Sequence, residues 1–182
     1  MNINIKNITK KLKLSWLFII CLGFLHSCYS FTGSSLTDEK TVQINEFPNN
    51  AALVNPALSQ QFSTDIQNRF LQRTTLKGTK ENPDILIEGE ITDYSITPTT
   101  ISSNTTTTST GGVINESQNK LTITVKVHYE NKLHPELSFD RTYSDEAVFN
   151  SSLSQSDIET SQVKIVTERI INKIFNDIVA NW

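Results

Sequence analysis

The sequence predicts an α+β fold, a two-layer αβ sandwich in which a four-stranded sheet carries two helices on one face, in the order β-α-β-β-β-α. Three observations predict it. The stretch Leu121-Thr-Ile-Thr-Val-Lys-Val-His-Tyr129 alternates: Leu121, Ile123, Val125, Val127 and Tyr129 fall on one side of an extended chain, and Thr122, Thr124, Lys126 and His128 on the other. Leu58, Phe62, Ile66 and Phe70 recur at every fourth residue, as an amphipathic helix requires. Val163, Val166, Ile170, Ile174, Ile178 and Trp182 keep helical spacing to the last residue. A strand with one apolar face needs neighbours for its ladder and a layer to cover it, and the helices supply that layer.

Taken in order, Thr41-Val-Gln-Ile-Asn-Glu-Phe47 turns Val42 and Ile44 inward as a first strand, and Pro48-Asn49-Asn50 ends it. Asn55-Pro56 opens the first helix, since Asn caps free amides and Pro at the first position loses no hydrogen bond. Leu71 stands beside its apolar stripe, Arg69 and Arg73 meet its carbonyl end, and Lys77-Gly78 marks the stop. In the second strand Ile85, Ile87, Gly89 and Ile91 share the inward face, and Leu86, Glu88 and Glu90 the other. The apolar phase then shifts to Tyr94 and Ile96, which predicts a bulge near Thr92-Asp93. Gly89 on the inward face predicts the close approach of a bulky helix residue.

Residues 97–112 are almost wholly Thr, Ser, Asn and Gly and predict a long loop. The organising strand follows, then a turn at His134-Pro135 and a fourth strand through Leu137, Phe139, Arg141 and Tyr143. Ser156 with Glu159 reads as the capping box of the last helix, thickened by Ile171, Phe175 and Val179. Burying its main stripe stabilises by roughly 10 kcal/mol as an upper estimate.

At the N-terminus Lys6, Lys10, Lys11 and Lys13 precede an uncharged run from Leu14 to Leu25, too short to span a membrane, which ends at Leu25-His26-Ser27-Cys28. A signal stopping at a cysteine resembles the lipobox of bacterial lipoproteins. The resemblance implies cleavage before Cys28 and lipid attachment there through acyl chains such as palmitate; the alternatives are an ordinary cleaved signal or Cys21 as acceptor. Residues 1–27 are then a signal peptide, 28–37 a lipidated tether and 38–182 a single domain. Two or three acyl chains hold a protein on a bilayer where one binds reversibly. No acidic residue stands among Tyr29, Ser30, Phe31 and Thr32, which points to the outer membrane and its periplasmic side.

The chain has 16 basic and 19 acidic residues; removing the signal takes four of the former, leaving 12 against 19, a charge of about −7. Nucleic acid is excluded as a partner, because phosphate binding needs a basic patch. No nucleophile elbow, zinc-protease motif, phosphate loop or dinucleotide fingerprint occurs, so the reading is a non-enzyme with no cofactor and no metal site. His128 and His134 read as surface residues, and Glu88 and Glu90 as a solvated strand face in preference to a catalytic carboxylate pair.

Several phrases, in this order along the chain, resemble the LptE family of outer-membrane lipopolysaccharide-assembly lipoproteins. They are Phe47-Pro-Asn-Asn-Ala-Ala-Leu-Val-Asn-Pro56, Glu88-Gly-Glu-Ile-Thr-Asp-Tyr94 followed by Thr97-Pro98, Lys120-Leu-Thr-Ile-Thr-Val-Lys-Val127 and Ala180-Asn-Trp182. The resemblance implies the same αβ sandwich, an LptD-like outer-membrane β-barrel as partner, in which the chain sits as a plug, and contact with lipopolysaccharide in transit. Thr122, Thr124, Lys126, Glu88 and Glu90 form the sheet surface that would face the partner, or simply solvent. The alternative is an independent lipid-anchored periplasmic or surface binding module.

Overall fold

The computed structural model describes residues 36–53, 55–99 and 117–179. The alternating stretch forms the middle of β4 (Gln118–Asn131), with Leu121, Ile123, Val125, Val127 and Tyr129 buried. β4 pairs antiparallel with β3 (Ile85–Thr99) on one side and with β5 (Phe139–Asn150) on the other. β1 (Thr41–Ile44) joins β3 in parallel through Val42↔Ile85 and Ile44↔Ile87.

Among the described residues the sheet has five strands instead of four. β2 (Lys77–Gly78) lies parallel to β1, giving the order β2-β1-β3-β4-β5. Helix α1 (Pro56–Arg73) ends before the expected stop, with the Thr74 amide donating to the Phe70 carbonyl, so the chain is extended by Lys77. There the Lys77 amide donates to the Lys40 carbonyl at 2.8 Å and the Thr79 amide to that of Val42 at 3.0 Å. β5 also begins and ends later than expected: Leu137 closes a 3-10 turn (Pro135–Leu137), and the strand continues to Asn150.

Asn55 caps α1, its side chain accepting from the Ala57 amide at 3.1 Å, and Leu58, Phe62, Ile66 and Phe70 are all buried. Leu71 departs from that stripe and is 44% exposed. The last helical region opens with a short α2 (Gln155–Asp157), passes through a π-helical stretch (Ile158–Val163) and continues as α3 (Lys164–Val179). Its cap is Ser154, two residues before the expected Ser156. The Ser154 hydroxyl accepts from the Asp157 amide and donates to the Asp157 carboxylate at 2.6 Å. The two Ser-x-x-acid spacings look alike in sequence. The earlier one caps the helix that seats Ile158 in the core. Val163, Val166, Ile170, Ile174 and Ile178 are buried as expected, together with Ile171; Trp182 lies outside the described residues.

Both long helices cover the same face of the sheet, where their apolar stripes join Ile85, Ile87, Ile91 and the inward side of β4 in one core. Charged groups fasten α3 to β5: Arg141 pairs with Asp177, the Tyr143 hydroxyl donates to Asp177 at 2.8 Å, and Asp145 takes Lys173 at 2.8 Å and Arg169 at 3.5 Å. Burial pushes the Asp145 carboxyl up, but the Lys173 hydrogen bond, the Glu146 amide and the two cations outweigh it and hold the group below its usual range.

The β3 bulge falls where the phase shift places it, with the β4 register slipping between Ile91 and Asp93. Gly89 does accept a close neighbour, though not from a helix. A Cβ there would lie 2.1 Å from the Lys126 carbonyl oxygen and 2.7 Å from the Phe47 ring. Phe47, after β1, is fully buried against Phe62 with ring centroids 5.2 Å apart.

Candidate functional site

With both helices on one side, the other side of β3, β4 and β5 carries no helix among the described residues, and the pairing fixes its side chains in rows. Glu88, His128 and Asp140 form one row; Glu90, Lys126 and Thr142 the next; then Asp93, Thr124 and Ser144; then Ser95, Thr122 and Glu146. Neighbouring strands stand about 4.8 Å apart, so each row is a short polar rib across the sheet. The five residues expected on this face, Glu88, Glu90, Thr122, Thr124 and Lys126, are all there.

The ribs hold themselves together. Thr124 and Ser144 hydroxyls lie 3.0 Å apart, His128 Nδ1 is 3.0 Å from Asp140, and Lys120 is 3.0 Å from Glu146. Glu88 and Glu90 do not act as a pair: Asn45 donates to the first at 2.9 Å and Asn50 to the second at 2.7 Å. Lys126 is exposed and has no ion-pair partner among the described residues. Glu88, Glu90, Lys126, His128 and Asp140 share a shallow depression of about 430 Å³ with Asn45, Glu46 and Pro48. Exposed pairs of this kind add little stability, so their principal effect is to fix directions of donors and acceptors.

Sequence reading missed the β5 members of the face, Asp140, Thr142, Ser144 and Glu146. Their strand carries charge at the inward positions Arg141 and Asp145, which hides the two-residue period. It also missed the two asparagines that hold the glutamates, because only the parallel run of residues 45–50 beside β3 brings them there. Cys28, the expected lipid acceptor, lies outside the described residues, as does most of the loop expected over 97–112; its first three residues, Thr97, Pro98 and Thr99, are instead strand, paired with β4. Among the described residues no three His, Cys, Asp or Glu side chains gather as metal ligands, and no helix is long and apolar enough to cross a membrane.

The model of the LptE family, described as lipopolysaccharide-assembly, matches residues 39–180. The chain belongs to the LptE family. This is a family of outer-membrane lipoproteins serving lipopolysaccharide assembly, and the match takes in every strand and helix described above. No curated protein matches the chain. Among solved structures this LptE-family chain is similar to a minor lipoprotein from Acinetobacter baumannii, at 15% identity and TM-score 0.49, covering 79% of this chain and 94% of that one. It is also similar to a hypothetical protein from Chlamydia trachomatis, at 11% identity and TM-score 0.48, covering 75% and 93%. A third is a PelC dodecamer subunit from Paraburkholderia phytofirmans, at 10% identity and TM-score 0.45, covering 81% and 94%.

Proposed function

We propose that this lipoprotein is anchored by lipid at Cys28 on the periplasmic side of the outer membrane and assembles with an LptD-like β-barrel as its plug, taking part in delivery of lipopolysaccharide to the outer leaflet. The observation that carries the reading is the face that no described helix covers, with its ribs of Glu88, Glu90, Thr122, Thr124 and Lys126. The lumen wall of a large outer-membrane barrel is polar and wet, and a rigid sheet of hydroxyls, carboxylates and an ammonium can hydrogen-bond to it without desolvating an apolar surface. The buried side of the same sheet, braced by two helices, gives the rigidity a plug needs.

Depletion tests the role. Loss of lipopolysaccharide from the cell surface on depletion, restored by the wild-type chain, is the expected result. An unchanged surface would favour the independent binding module.

A further inference from the structure

The two edges of the sheet are treated differently. On β5 the outward carbonyls of Ser144 and Glu146 accept from Lys173 at 2.8 Å and Arg169 at 3.3 Å, so cations from α3 occupy the place of another strand. Blocking an edge with charge in this way prevents strand addition. Among the described residues the β1 edge has no such guard. β2 pairs only with Thr41 and Val42, and the chain turns away after Thr79, leaving the end of β1 and the two residues after it, Gln43 to Glu46, beside a groove of about 500 Å³. There the Ile44 carbonyl is met by the Gln67 side-chain amide, at 3.1 Å, where a neighbouring strand would offer a backbone N–H.

The groove's walls suit an extended polypeptide. The 44%-exposed Leu71 and the partly buried Ile44 supply apolar surface, Gly78 adds no side chain, Lys80 stands at one end and Glu46 at the other. We propose that the sheet edge from Gln43 to Glu46, the end of β1 and the two residues after it, is a strand-addition site, occupied by an extended segment of a partner protein. That segment places an apolar side chain against Leu71, an acidic one near Lys80 and a basic one near Glu46. Four residues of strand span about 13 Å, and main-chain hydrogen bonds supply affinity while the flanking charges set direction. Gln67 holds the Ile44 carbonyl until the incoming strand replaces it. This goes beyond the barrel reading, since it names the sheet edge, which meets the polar face only at Asn45 and Glu46, and holds whichever protein supplies the strand.

The test uses the full-length lipoprotein in native envelopes, with a photo-crosslinking amino acid at Leu71 and a control at Val148, which is 42% exposed on the opposite edge strand. Adducts are mapped by mass spectrometry. The expected result is a crosslink from position 71 to a single extended polypeptide segment, absent from position 148, whose yield rises about threefold when Gln67→Ala removes the competing amide. A glycolipid adduct, scattered adducts, no adduct, or a yield that Gln67→Ala leaves unchanged would overturn the proposal. The identity of the crosslinked protein bears separately on the barrel reading: an extended segment of some other protein would sustain the edge site and count against the barrel.

Discussion

Replacing Gly89 by alanine reverses the usual sign of that substitution. In an ordinary strand interior, alanine for glycine stabilises by roughly 0.5–1 kcal/mol, because the glycine chain has more freedom to lose. At Gly89 the new methyl would lie 2.1 Å from the Lys126 carbonyl oxygen and 2.7 Å from the Phe47 ring. The nearer atom is backbone in the β3–β4 ladder, so relief requires that one strand shift or the buried Phe47 leave its contact with Phe62. Overpacking costs about 1–3 kcal/mol where side chains can adjust, and a backbone obstacle places this site at the upper end, about 3 kcal/mol. For a domain of this size that lowers Tm by about 10 °C. Urea unfolding followed by circular dichroism measures it, the midpoint falling while the slope stays constant. A neutral or stabilising Gly89→Ala would refute the packing described around β3.

Ser154→Ala should cost about 1 kcal/mol, and Ser156→Ala a few tenths at most, because only Ser154 caps the helix; thermal melts of the pair decide it. Burial pushes the ionisation of the Tyr94, Tyr129 and Tyr143 hydroxyls to higher pH, the last reinforced by its hydrogen bond to Asp177. Each therefore keeps its proton longer in the folded state, its stabilisation is complete below the unfolded tyrosine value of about 10, and stability falls as pH rises above that value. Tyr143→Phe should flatten this alkaline loss in urea titrations between neutral and alkaline pH, at the cost of the Asp177 hydrogen bond; an unchanged pH slope would contradict the buried environment. Cys28→Ala should move the protein from the membrane to the soluble periplasmic fraction on cell fractionation, and continued membrane association would exclude lipid at that residue as the anchor.

What the sequence made legible was what burial writes into residue order. The β4 alternation, the α1 stripe and the phase shift at Thr92 each follow from a side chain being in or out of the core, and each sits where expected. β2 was not legible because a two-residue exposed strand carries no apolar pattern; backbone hydrogen bonds to Lys40 and Val42 alone define it. The later half of β5 was hidden because Arg141 and Asp145 occupy inward positions, tolerated there since Asp177, Lys173 and Arg169 of α3 meet them at the sheet's edge. The neighbour of Gly89 was misplaced for a related reason. Phe47 stands at odd spacing from Val42 and Ile44, so strand alternation does not turn it inward, and only the folded chain shows that it fills the core.

The same logic bears on the polar face. Its β3 and β4 residues were readable as the non-buried half of an alternation, whereas the rows that Asp140, Ser144 and Glu146 complete depend on register, which no single strand encodes.

Purification of the full lipoprotein from its native envelope in mild detergent addresses the assembly most directly. The account predicts a stable complex with one large outer-membrane β-barrel, weakened when charges of the same sign as its own carboxylates replace Thr122 and Thr124. Recovery of the lipoprotein as a lone monomer, or a barrel complex indifferent to those substitutions, would contradict it.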